Sequence, residues 1–142
     1  MVCINYYLSM DLQEKFTSNF PINDSIYGSI YSKDLFNIKL EIPNVQRITD
    51  DSKITDIIKY QCNYFKNNGI FNIIGVINIH YCKENNTYYL TDGQHRFQAL
   101  KQMYEKMGHN ILIPIECITV TRYNELKNNF EIINKNTPLP EF

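Results

Sequence analysis

Hydrophobic and polar positions alternate along this chain in two distinct periods. Ile54, Ile57, Ile58, Cys62 and Phe65 recur at helical spacing, after possible caps at Thr49-Asp50-Asp51-Ser52 and before Asn67-Asn68-Gly69, which predicts a helix over about 53–67. Phe97, Leu100, Met103 and Met107 predict a second helix from Gly93, closed by Gly108, and Tyr123, Leu126, Phe130 and Ile133 predict a third, capped by Thr121. Ile38, Leu40 and Ile42 lie at period two and predict a strand over 35–42 that Pro43 ends. Ile70 to Tyr81 reads as a central strand with a bulge at Gly75. After the Asn85-Asn86 turn, Tyr88 to Thr91 returns to make a hairpin over 72–91. Ile111 to Val120 is a further apolar strand interrupted by Pro114 and Glu116, with the proline suggesting an edge.

The order is β, α, β-β, α, β, α on one small α+β core. Residues 1–34 are set apart as an N-terminal extension packed on a domain of residues 35–142. Within the extension, Val2 to Met10 and Tyr27 to Ser32 read as extended pieces, and Phe20 to Asp24 as a loop.

The chain has 142 residues, 44% hydrophobic and 20% charged, which suits a single folded domain rather than a disordered one. It contains no apolar run of membrane-spanning length and no basic-then-apolar leader, so the expectation is an intracellular protein without a membrane partner. Fourteen basic against fifteen acidic residues give a net charge of -1. That balance argues against strong non-specific DNA binding by this chain alone. Cys3, Cys62, Cys82 and Cys117 are too far apart for a CxxC pair or a zinc knuckle and read as buried free thiols.

The chemistry concentrates where the second strand of the hairpin meets its helix, at Asp92-Gly93-Gln94-His95-Arg96. A helix start offers free N–H groups and a positive dipole end, and here it adds a fork-shaped cation at Arg96 and a second donor at His95. Gly93 permits close approach of a ligand, and Asp92 is placed to cap the helix, orient Arg96 or hold a metal ion. Arg47, on a polar loop between apolar elements, is a further cation for the same site. The plainer alternative is a capped helix with a solvated Arg96.

The stretch from Glu41 to Val120 resembles the ParB/sulfiredoxin superfamily, and Asp92-Gly93-Gln94-His95-Arg96 resembles the motif of its DGQHR-type, ParB-like nuclease domain branch. Ile42-Pro43 with Gln46-Arg47, Gly69 before the hairpin, Ile113-Pro114-Ile115, Phe130 with Ile133-Asn134, and Thr137-Pro138-Leu139 match it in order. The resemblance implies a small mixed sheet packed by about three helices. It also implies a nucleotide or phosphate site at Gly93, Gln94, His95, Arg96 and Arg47, taking a nucleoside triphosphate such as ATP or CTP with Mg²⁺. A regulatory or DNA-metabolism role follows, with nucleic acid reached through a partner or oligomer, a homodimer included.

The alternative it leaves open is a ParB-like nuclease or a small phosphotransferase in which Asp92 serves as base or Mg²⁺ ligand. Glu41 and Glu84 are then the candidate second carboxylates. Sulfiredoxin activity is not expected, because Gln94 stands where that chemistry needs a cysteine. Gln94 and His95 also replace the glutamate-arginine pair of partition proteins. With the chain closing at Phe142, a DNA clamp by this chain alone is not expected either.

Overall fold

The computed structural model describes residues 12–43 and 49–136, the last three by backbone only. A first helical turn, α1 (residues 12–14), leads into β1 (Ser18–Ile22), β2 (Ser25–Tyr31), α2 (Ser32–Leu35) and β3 (Leu40–Glu41). α3 (Asp51–Asn68), β4 (Ile77–Cys82), β5 (Thr87–Asp92), α4 (Gln94–Met107), β6 (Leu112–Val120) and α5 (Tyr123–Asn136) complete the order. The strands form one mixed sheet in the order β1-β2-β6-β4-β5-β3. β4 runs parallel to β6 and β3 parallel to β5, and the remaining neighbours are antiparallel. The α+β class read from the periodicities is the one observed.

Every residue of β4 is buried, so both faces of the sheet are covered there. Ile77 and Ile79 point to one face, where they join Ile113, Ile115 and Leu90 beneath Phe97, Leu100 and Met103 of α4. α3 packs against α4. On the opposite face Cys82, Tyr89 and Val120 pack with Leu126 of α5. The hairpin of β1 and β2 belongs to the same sheet: β2 pairs along most of β6, and Phe16, Ile30 and Leu35 enter the main core.

The helices start and stop largely where their caps indicated. The Asp50 carboxylate accepts the Ser52 N–H at 2.9 Å, and Gly69 closes α3. At α5 the expected Thr121 cap is replaced by two carboxylates. Glu84, from the turn between β4 and β5, accepts the Tyr123 N–H at 3.1 Å, and Glu125 accepts the Thr121 N–H at 3.4 Å. Either interaction places negative charge at the positive end of the helix.

Three strand expectations and one loop expectation are corrected. The strand expected over 35–42 shrinks to Leu40–Glu41, because Ser32 ends β2 and opens a helical turn that buries Leu35. The Ser32 hydroxyl and backbone exchange bonds with both backbone groups of Ile111. The expected loop at Phe20–Asp24 is instead the end of β1 and a tight turn, with Asn23 at φ 54°. Residues 70–76 are irregular, and the break in pairing lies at Asn78/Ile79 rather than at Gly75. Pro114 lies in the interior strand β6, not at an edge. The Ser29 carbonyl turns toward Thr17, so the Ser29/Pro114 pair shares no ladder bond. The proline ring nitrogen therefore faces the β4 side, and β4 pairs only from Ile115 onward. The expected strand at Val2–Met10 lies outside the described residues.

Candidate functional site

β5 reaches the site with one residue to spare. Asn78 lies opposite Asp92 and Ile79 opposite Leu90, so Thr91 is the extra residue of a bulge. Two residues later Gly93 adopts φ 86°, ψ 29°, and the helix begins at Gln94. Among the described residues no side chain caps the start of this helix. Its first backbone bond runs from the Phe97 N–H to the Gly93 carbonyl at 2.8 Å, which leaves the N–H groups of Gln94, His95 and Arg96 without a partner inside the helix. Asp92, expected as a cap, is the exposed last residue of β5, and Gly93 holds the N-cap position.

Arg96 is fixed by the backbone, not by Asp92. Nη1 donates to the Ile74 carbonyl at 2.8 Å and Nη2 to the Val76 carbonyl at 3.0 Å. Two glycines make room for it. A Cβ at Gly75, where φ is 79°, would stand 2.9 Å from Nη1, and one at Gly93 would stand 3.1 Å from Nη2. The guanidinium is thus held between the 74–76 loop and the start of α4, and these two bonds use two of its five N–H donors. The loop has a second clamp. The buried Gln61 amide donates to the Asn72 carbonyl at 2.7 Å and accepts the Asn72 N–H at 2.9 Å.

Gly93→Ala is expected to cost about 1–2 kcal/mol for the left-handed backbone alone. The added methyl would also crowd Ile77 Cγ1 at 3.2 Å. Urea unfolding of the variant against the parent measures the loss.

His95, expected as a second donor, uses one of its two ring nitrogens within the fold. Its Nε2 accepts the Asp50 N–H at 3.0 Å, so that nitrogen carries a lone pair and the ring proton sits on Nδ1. The bond ties the first turn of α4 to the N-cap of α3, and two positive helix ends meet there. The Asp50 carboxylate offsets part of that field, and its hydrogen bonds from the Ser52 hydroxyl and backbone hold it below the usual carboxylate range. Gln94 is half-buried. Arg47 lies outside the described residues, three positions before Asp50 in the chain.

The two candidate second carboxylates are not brought to Asp92. Glu84 caps α5 from the far end of the hairpin, and Glu41 pairs with Tyr89, three residues short of Asp92. Among the described residues no group of three His, Cys, Asp or Glu is placed to hold a metal ion. Cys82 and Cys117 are buried free thiols, and burial pushes Cys117 up to about 12, which keeps it protonated and unreactive. Cys62 is half-buried against Met107.

The residues that sequence reasoning missed lie on the α5 face of the sheet. Glu116 accepts from the Ser25 hydroxyl at 2.8 Å, the Tyr27 hydroxyl at 2.9 Å and the Asn78 amide at 2.9 Å. The hydrogen bond to Glu116 raises the Tyr27 phenol above its ordinary value. Asn78 Oδ1 and the Thr91 hydroxyl are hydrogen-bonded, Thr91 Oγ1 lies 2.8 Å from His80 Nδ1, and Asn129 of α5 lies 3.1 Å from His80 Nε2. His80 is fully buried, and burial lowers it to about 4 against the opposing pull of Glu116. The sequence signal was the polar pair Asn78 and His80 at period two inside an apolar strand, with Glu116 in another.

No protein-family model matches this chain, and no curated protein matches it significantly. Among the described residues, no helix is long and apolar enough to cross a membrane.

Proposed function

We propose that the α4 junction binds the phosphate groups of a nucleotide, and that the chain acts as a nucleotide-binding, regulatory module in DNA metabolism rather than as an enzyme. The observation that carries the reading is a helix N-terminus at Gly93, with no side-chain cap among the described residues, paired with a guanidinium held beside it by Ile74 and Val76. Free N–H groups and a cation in fixed relation are what a phosphate needs, and both are in place before a ligand arrives. Because its carbonyl partners hold Arg96 in one rotamer, little side-chain entropy is lost on binding.

A groove of mixed polarity lined by Phe36, Ile38, Leu40 and Phe97, with Gln98 and Lys101 on its α4 side, runs beside the same helix. Such a groove suits the base and sugar of a nucleotide, with polar groups at the rim for its edges. Arg47 would add a second cation. A phosphate-borne Mg²⁺ needs only one or two protein carboxylates, and exposed Asp92 would supply one. The DGQHR resemblance supports the same placement. DNA contact, on this reading, comes through a partner or a second copy.

Thermal unfolding with ATP, CTP or GTP, each with and without Mg²⁺, tests the proposal. A nucleotide at 100 times its Kd should stabilise the fold by about 2.7 kcal/mol. An unchanged melting curve with all three would remove the nucleotide reading.

A further inference from the structure

The hydrogen bonds on the α5 face run in one direction, and Glu116 sets it. A carboxylate offers only acceptors, so the Asn78 amide must turn its Nδ2 toward Glu116 and its Oδ1 toward Thr91. Thr91 then gives its single proton toward Asn78, whose backbone carbonyl also lies 3.2 Å from the hydroxyl, and must accept from His80 Nδ1. His80 Nε2 in turn accepts from the Asn129 amide. The whole chain of donors, from Asn129 through His80, Thr91 and Asn78, ends at Glu116, where Ser25 and Tyr27 also donate. Such a chain polarises along its length, and every buried member is satisfied.

Its middle member is the bulge residue. Thr91 is held by Asn78 and His80, and Asp92 and Gly93 follow it into α4. We propose that Glu116 is a positioning residue for the anion site, orienting Asn78 so that Thr91 fixes the bulge that aims Gly93 and the open N–H groups of α4. Glu116 touches no ligand in this scheme. The claim rests on the phosphate reading for its functional consequence, but its structural consequence can be read without any ligand.

Nuclear magnetic resonance on the whole chain tests it, with inorganic pyrophosphate as the probe and Glu116→Gln as the main variant. In the parent protein the His80 ring should be protonated on Nδ1 alone. A glutamine at 116 can donate or accept, so both His80 tautomers should appear, and the Gly93 and Gln94 amide resonances should move. Pyrophosphate affinity should fall about tenfold. Thr91→Ser, which keeps the hydroxyl, should bind like the parent, whereas Thr91→Val should weaken binding as Glu116→Gln does. If Glu116→Gln fails to fold, the Thr91 pair decides the question by the same resonances and affinities.

Unmoved Gly93 and Gln94 amides, a single Nδ1–H tautomer and parental affinity in Glu116→Gln would overturn the inference. If the parent itself does not bind pyrophosphate, the phosphate reading fails. The Gly93 and Gln94 resonances of the ligand-free variant then decide the positioning role alone: moved signals support it, and unmoved signals overturn it.

Discussion

Arg96→Ala should both loosen the fold and remove anion binding. The substitution leaves the Ile74 and Val76 carbonyls without their donors. A hydrogen bond to a charged group contributes roughly 1.5–3 kcal/mol, and a buried partner left unpaired costs a comparable amount. Ile74 is largely exposed, so water can replace one of the two bonds. The net loss should therefore be about 2 kcal/mol, read by urea unfolding. Phosphate affinity should fall at least about tenfold, because the lost cation also stood beside the helix start. Arg96→Lys separates the two effects. It keeps a charge but has no planar fork to span two carbonyls, so stability should fall nearly as far while weak binding persists. Parental stability and parental binding in Arg96→Ala would show that the guanidinium contributes to neither.

Acid should destabilise this protein through one histidine. His80 ionises near 6.5 when unfolded and at about 4 in the fold, where burial disfavours its charged form. The unfolded chain therefore binds more protons between those values, and stability rises with pH across that window. The contribution is complete above about pH 6.5, declines as the pH falls toward 4, and amounts to about 3 kcal/mol in all. That is a large part of the 5–15 kcal/mol typical of a folded domain. His80→Gln, which keeps a donor and an acceptor but does not titrate, should flatten the difference between unfolding at pH 7 and at pH 4.5. If parent and variant lose stability in parallel over that range, His80 is not the acid-sensitive group.

The elements formed by local rules were legible before the structure. Asp50, the apolar run from Ile54 to Phe65, and Gly69 define α3 within two residues, because cap, periodicity and terminator all act within the helix itself. The same holds for α4 between Gly93 and Gly108 and for the hairpin around Asn85-Asn86. The sheet order was not legible, since β6 inserts between β2 and β4, each far from it in sequence. Pro114 by itself suggests an edge, yet it needs only a gap on one side of an interior strand. Residues 70–76 have the apolar content of a strand. Their backbone groups are instead taken by side chains from Gln61 and Arg96, contacts that no periodicity contains.

The candidate site divides in the same way. Gly93 and the open helix start could be read locally, and they stand where the motif placed them. The partners of the motif could not. Asp92 suggested itself as the orienter of Arg96 through nearness in sequence, whereas the orienters come from a loop twenty residues upstream. His95 suggested a second donor, but its Nε2 accepts a hydrogen bond from Asp50, which leaves Nδ1 alone to donate. The network from Ser25 to Asn129 spans four strands and a helix, so its members become neighbours only once the strands pair.

The most direct measurement of the phosphate site is a titration of the isotopically labelled chain with ATP, followed at the backbone amides of Gly93, Gln94 and His95. The expected result is saturable movement of those three resonances, together with the Arg96 guanidinium signals, and its loss in Arg96→Ala. Movement confined to other parts of the surface, or no movement at any of these groups up to millimolar ATP, would contradict the assignment of this junction as a phosphate site.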